Sequence, residues 1–203
     1  MFTGIINYTG RIHTPNLTKE GMVLTVRAPR ALAQRVRIGS SVSHNGVCLT
    51  VAKKSIIKDA LLLTTFLMNE TLRLTSFKHV RTGDEVNLEP SMRWGDEIGG
   101  HFLFGHVDGV GTITSLKKDG GAVIMSVRIP KKLMRFMAVK GSVGIEGISL
   151  TLIKVAGATI TVSLIPDTIR MTNLKHKQAG DPLNIEVDML ARYALSRALV
   201  KKK

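Results

Sequence analysis

Cys48 is the one thiol in a chain of 203 residues, and in the run NGVCLTV it is the best nucleophile the sequence offers. A free cysteine also serves as a small buried hydrophobe, so its surroundings decide between the two roles. His101 and His106 stand five residues apart in GGHFLFGHVDG, and imidazole, titrating near neutral pH, suits general acid or base work. On an extended segment the two face opposite sides, which leaves one for chemistry and one for structure. The other four histidines, His13, His44, His79 and His176, read as surface or turn residues. Ser149 and Thr151 in EGISLT sit two apart and share a strand face, as do Cys48 and Thr50. No Cys or His spacing suits a metal. The glycines of GVGTI precede no helix, so they make no dinucleotide loop, and no cofactor is expected.

The elements that carry these groups occur twice. Shifting the chain by 101 positions lays Phe2–Val51 on Leu103–Leu152, with Gly4 on Gly105, VRAPRAL on VRIPKKL and NGVCLTV on EGISLTL. Further on the shift becomes 97, and ETLRLTSFKH at 70–79 meets DTIRMTNLKH at 167–176, followed by Gly83, Asp84, Asn87 and Glu89 on Gly180, Asp181, Asn184 and Glu186. A period near 100 residues is too long for a solenoid unit and has the size of a small domain. The copies differ at their reactive positions: Cys48 meets Ser149, and Asn45 meets Glu146. One fold is kept while two sites diverge.

Short apolar or alternating runs dominate each copy, among them 22–28, 40–52, 60–66 and 84–90 and their counterparts, separated by Gly-containing turns. This spacing predicts about six antiparallel strands per copy and a closed barrel, which leaves no exposed edge. One helix interrupts each barrel, at 29–36 and 130–137, starting at a proline and turning Leu32, Val36, Leu133 and Met137 inward. The segment 91–101, rich in Gly and charge, reads as a linker. At 189–200 an amphipathic helix carries Leu190, Tyr193, Ala194, Leu195 and Leu199 on one stripe, to pack on its own domain or to build an oligomer. The expected domains are 1–97, 98–187 and 188–203.

The net charge is +14, a balance that raises nucleic-acid binding as an option. The charge is spread thinly, however, with 13 Lys and Arg in 1–100 and 16 in 101–203, and its only dense run is Lys201, Lys202 and Lys203. With 4% aromatic residues there is no basic stripe interleaved with stacking platforms, so no nucleic-acid partner is expected. One cysteine, no leader-like apolar start and no apolar run approaching the roughly 20 residues of a membrane span point to a cytoplasmic protein with no membrane partner.

Taken in order, MFTGII, HNGVCLTV, ETLR with Thr75, GDEVNLE, GGHFLFGHVDGVGTI, EGISLT and SLIPDTIRMTNL resemble the riboflavin synthase family from Met1 to about Val187. The resemblance implies an all-β fold of two tandem six-stranded antiparallel Greek-key barrels with short helices and a C-terminal helix used in trimer formation. It implies a dismutation in which one 6,7-dimethyl-8-ribityllumazine gives a four-carbon unit to another, yielding riboflavin and 5-amino-6-ribitylaminouracil. Two copies of one substrate explain a duplicated pocket, and their different roles explain the divergence. In the family the site joins the first barrel of one subunit to the second barrel of its neighbour.

The resemblance places Cys48, His106, Lys140, Glu146 and Ser149 in the catalytic group. Cys48 then attacks the ring, positions a hydroxide that does, or only hydrogen-bonds; His106 takes or gives the proton of the acidic methyl group. Glu146 departs from the family's usual Asp, and its extra methylene either alters a proton relay or is absorbed locally. Substrate contacts are expected from Phe2, Gly4, Ile5 and Ile6; from Ser41, Leu49 and Thr50; and from Phe66, Leu67, Met68, Asn69, Glu70 and Thr71, partly through the backbone. Gly105 and Val107 flank His106, and Leu150 and Thr151 follow Ser149. Ile165, Pro166, Asp167, Thr168, Ile169 and Arg170 repeat the 68–73 segment. Phe2 either closes over the ring or plugs the barrel mouth. The alternative reading is a non-catalytic lumazine or flavin binder resembling lumazine protein; such relatives tend to lose the cysteine and histidine kept here at Cys48 and His106.

Overall fold

The computed structural model of the chain describes residues 1–200, with side chains through Ser196; the side chain of Leu199 and the tail Lys201, Lys202 and Lys203 lie outside the described residues. The alternation in the sequence becomes two closed barrels. In the first, β1 (Tyr8–Leu17), β2 (Gly21–Pro29), β3 (Ser41–His44), β4 (Val47–Ile57), β5 (Ala60–Met68) and β6 (Glu85–Pro90) close in the order β1-β2-β5-β4-β3-β6. The second repeats that order with β7 (Gly109–Asp119), β8 (Ala122–Arg128), β9 (Ser142–Ile145), β10 (Ile148–Ala156), β11 (Thr159–Leu164) and β12 (Pro182–Val187), and every pairing is antiparallel. This non-sequential order is the expected Greek key. Each barrel is filled by one face of each strand: Leu24, Val26, Leu61 and Leu63 are sealed inside the first, and Met125, Val127, Ile160 and Val162 inside the second.

The insertions at Arg30–Gln34 and Lys131–Phe136 are 3-10 turns rather than α-helices. They do bury Leu32 and Leu133 as expected. Two short α-helices, α1 (Asn69–Leu74) and α2 (Pro166–Met171), follow β5 and β11 at equivalent places in the repeat. Pro166 at the first helical position, with Asp167 in the first turn and Arg170 in the last, is the sequence signal for α2. The final helix, α3 (Met189–Val200), exposes Leu190 and Tyr193.

The barrels meet about a local twofold axis at two hairpin turns. Asn45–Gly46 and Glu146–Gly147 all have positive φ, the signature of a two-residue type I′ connection. The glycines touch backbone to backbone, so a Cβ on Gly46 would lie 2.8 Å from Gly147 N. Buried amides stitch this seam symmetrically. Asn87 Nδ2 donates to Glu146 O and Asn184 Nδ2 to Asn45 O, each at 2.9 Å, while Ser76 N and Asn173 N donate to Asn184 Oδ1 and Asn87 Oδ1 at 2.7 Å. Asn173 breaks the symmetry, because its Nδ2 donates to both Asn45 Oδ1 and Glu146 Oε2.

His44, expected near the surface, is instead fully buried in β3. Its Nδ1 meets Val42 O at 3.1 Å, and its Nε2 has no partner. Burial pushes its pKa down to about 4, opposed by the Val42 contact. The second copy carries Ile145 at this position. His44→Ile therefore removes an unpaired buried polar atom and is expected to stabilise the protein by about 1–3 kcal/mol near neutral pH. The stability that depends on a neutral His44 is present above its unfolded pKa of 6.5 and is lost as pH falls towards 4. Urea melts from pH 7.5 to 4 should show the variant's advantage growing by about 3 kcal/mol on acidification.

Candidate functional site

Each barrel is preceded by an extended arm, and the arms are exchanged. Phe2 and Leu103 pair across the local axis through Phe2 N to Leu103 O (2.8 Å) and Leu103 N to Phe2 O (3.0 Å). The arm before the first barrel then lies on the second: Ser149 N donates to Gly4 O at 2.9 Å, and Ile6 joins the second barrel's core. In the same way Cys48 N donates to Gly105 O at 3.0 Å, and Val107 packs on the first barrel's core. The contacts are too close for side chains. A Cβ on Gly4 would sit 2.6 Å from Ser149 Cβ, and one on Gly105 would sit 2.5 Å from Cys48 Cβ. Both glycines also hold positive φ, 76° and 74°.

A buried carboxylate pins each arm. Glu89 accepts from Thr3 N (2.7 Å), Thr3 Oγ1 (2.8 Å) and Gly4 N (3.0 Å); Glu186 accepts from Phe104 N (2.7 Å) and Gly105 N (3.1 Å). Burial raises the pKa of both, Glu186 to about 7, against the opposing effect of those backbone donors. Every reactive position is thus framed by one barrel's strand, the other barrel's arm and a carboxylate behind the arm.

The cleft at Cys48 is a cavity of about 530 Å³, roomy enough for a fused-ring ligand. Cys48, Glu70, Thr71, Gly105, His106 and Val107 line it together with Asp108 and α3 residues Met189, Arg192 and Tyr193. Asp108 anchors the start of α3 by accepting from Val187 N and from Arg192. Cys48 is half-buried and His106 exposed, so both are open to a ligand. Thr50, Phe66 and Met68 stand exposed on the outer faces of neighbouring strands, and Ser149, Thr151 and Ile165 hold corresponding places on the second barrel. Ile5 is exposed where the repeat has His106. The two positions are therefore equivalent in framework and unlike in chemistry. The first pairs a thiol with an imidazole from an arm, and the second pairs a hydroxyl with an isoleucine from an arm.

Several expected residues stand elsewhere. Leu49, Leu67 and Leu150 send their side chains into the barrel cores, so only their backbone faces outward. Phe2 is 1% exposed and sits at the junction between the arms, paired with Leu103. Glu146, expected in the catalytic group, is fully buried in the seam, accepting from Asn184 N (2.7 Å) and Asn173 Nδ2 (2.8 Å), and burial raises its pKa. Lys140 is exposed on a turn with φ 68°, at the place of Gly39 in the first copy. Glu70 and Asp167 pair with Arg73 and Arg170 on the surface of α1 and α2; Ser41 and Thr168 are half-buried, Asn69 and Pro166 exposed, and Ile169 packs against the second barrel's core. His101 was set aside for structure, yet its Nδ1 lies 2.6 Å from Ser149 Oγ. The pair GG before it was the available signal, since both glycines let the linker run against the second cleft.

Among the described residues no group of three His, Cys, Asp or Glu could hold a metal ion. No helix there is long and apolar enough to cross a membrane.

Residues 3–91 and 104–188 each match the lumazine binding domain family. The chain is 39% identical to the riboflavin synthase of Brucella abortus (strain 2308) over 100% of both chains. It is 38% identical to the riboflavin synthase of Bacillus subtilis (strain 168) over 95% of this chain and 87% of that one, and 40% identical to that of Chlamydia trachomatis serovar D over 95% and 92%. Among solved structures, LumP complexed with 6,7-dimethyl-8-(1'-D-ribityl) lumazine shares the fold with a TM-score of 0.80 at 24% identity, covering 92% of this chain and 99% of that one. LumP complexed with riboflavin gives a TM-score of 0.82 at the same identity and coverage.

Proposed function

The chain belongs to the riboflavin synthase family, with two lumazine-binding domains in tandem, and from that membership we propose that the clefts at Cys48 and Ser149 each take one lumazine. The reaction is the dismutation of two 6,7-dimethyl-8-ribityllumazine molecules, in which a four-carbon unit passes from one to the other to give riboflavin and 5-amino-6-ribitylaminouracil. The two products together contain every atom of the two substrates, so the transfer needs no external oxidant, and flavin enters only as product.

The observation that carries the reading is the cavity at Cys48 together with an equivalently framed position at Ser149 that bears different groups, Cys48 with His106 and Ser149 with Ile5. In the first, His106 takes the proton from the acidic methyl group while Cys48 attacks the ring, places a hydroxide that does, or donates a hydrogen bond. In the second, Ser149 and Thr151 bond ring or ribityl oxygens. Holding two heterocycles in reactive register supplies much of the acceleration, on the order of 7–11 kcal/mol in favourable cases. Exposed Leu190 and Tyr193 on α3, and exposed Phe66, Met68 and Ile165 on the cleft rims, support assembly as a homotrimer whose neighbouring chains close each cleft. A reducing cytoplasmic setting keeps Cys48 a thiol.

The test is incubation of the purified protein with the lumazine at substrate excess. Riboflavin fluorescence should rise through many turnovers and stop when substrate is exhausted. A spectral shift that saturates at the protein concentration identifies a binder instead.

A further inference from the structure

Ser149 has a partner that Cys48 lacks. His101 Nδ1 lies 2.6 Å from Ser149 Oγ, and among the described residues no imidazole is hydrogen-bonded to Cys48. The surroundings fix the contact. His101 N donates to Thr3 O at 3.2 Å, and Gly100 lies so tightly beneath Ser149 that an added Cβ would sit 2.7 Å from its Cβ and 2.9 Å from its Oγ. The other ring nitrogen, Nε2, is buried with no partner. A buried N–H without an acceptor is rare, whereas an unused lone pair is better tolerated. The proton therefore belongs on Nδ1, and Nδ1–H donates to Ser149 Oγ. Burial lowers the proton affinity of this imidazole, with Asp188 opposing, which keeps the ring in its neutral, single N–H form. With a lone pair of Oγ occupied, the serine's own hydrogen is free to point into the cleft.

We propose that His101 is a positioning residue that fixes Ser149 as a hydrogen-bond donor towards an acceptor atom of the lumazine in the second cleft. The proposal deepens the reading given above and rests on it. The histidine gives the two clefts opposite characters: an arm imidazole accepts a proton beside Cys48, and a linker imidazole commits Ser149 to donating one hydrogen bond. The conjugated ring presents carbonyl oxygens and ring nitrogens that accept such a bond, so the donor orients the heterocycle.

Two measurements test it. The first is 15N NMR of the ring, assigned by comparison with His101→Phe: the account requires a proton on Nδ1 and none on Nε2, and the reverse tautomer overturns it. This readout is independent of turnover, so it separates failure of the proposal from failure of the enzymatic reading, which would appear as wild-type protein making no riboflavin. The second is steady-state kinetics. His101→Phe, which keeps a ring and loses the bond, should lower kcat/KM about tenfold, whereas His101→Asn, whose amide nitrogen can take the place of Nδ1, should stay within about threefold of wild type. In a Ser149→Ala background neither change should lower the residual rate further. Equal losses in the Phe and Asn variants, or losses that multiply with Ser149→Ala, would show that His101 only supports the fold.

Discussion

Gly105→Ala should lower kcat at least about 100-fold while the protein stays folded, because a displacement near 1 Å at a reacting group can cost that much. The added Cβ would stand 2.5 Å from Cys48 Cβ and 2.6 Å from Cys48 N, a separation no real contact shows. The positive φ of 74° adds local strain of about 1–2 kcal/mol. The arm therefore has to lift from β4, and His106, one residue on, leaves its place in the Cys48 cleft. Glu186 holds the other side of the arm through Phe104 N and Gly105 N, so the displacement cannot be absorbed by a free loop. Gly4→Ala makes the same experiment on the Ser149 cleft, with a clash of 2.6 Å. Steady-state rates paired with a thermal melt check both variants. A Gly105→Ala enzyme with near-normal kcat would mean that the arm does not set the cleft's geometry.

The largest stability effect is expected in the seam. Asn173→Ala removes two donations from Nδ2 and one acceptance by Oδ1, and leaves Glu146 Oε2 without its donor inside a sealed interface. Leaving buried polar groups unpaired in this way should cost about 3 kcal/mol. The repeat supplies the control: Ser76 occupies the corresponding place and uses only its backbone N–H, so Ser76→Ala should be close to neutral. Glu146 gives the loss a pH dependence. Its folded pKa is raised by burial, so its contribution is fully present below the ordinary carboxylate range and declines as pH rises through the folded value. Removing Asn173, which favours the ionised form, raises that value further, and the variant's deficit should widen towards alkaline pH. Urea midpoints for the three proteins at two pH values decide the matter; a deficit for Asn173→Ala no larger than that for Ser76→Ala would contradict the role given to the seam.

Much of the fold was readable because it is repeated and periodic. The runs at 22–28 and 60–66 became β2 and β5, whereas the single run read at 40–52 divides into β3 and β4 at the Asn45–Gly46 turn. The shift from 101 to 97 located equivalent glutamates and asparagines before any contact between them was visible. What these groups do was not readable, since it depends on pairings far apart in sequence. Phe2 with Leu103, Glu89 with Thr3 and Asn173 with Asn45 are set by how the barrels pack about their local axis, and no local pattern encodes that axis. For the same reason the surroundings of Glu146 were hidden. Its polar type and place in a chemistry-bearing motif were visible, while its burial against the other barrel was not. His44 was misplaced because a polar residue in a strand is ordinarily an outward one. His101 was underrated because its partner, Ser149, lies 48 residues away.

The claim on which the whole account stands is that one chain offers two separate seats for the same heterocycle. Titration calorimetry with a lumazine lacking the acidic methyl group, which binds without turning over, measures this directly. The expected result is two equivalents per chain, with Cys48→Trp removing one and Ser149→Trp removing the other. One equivalent in the wild-type protein, or the loss of both in either variant, would contradict it.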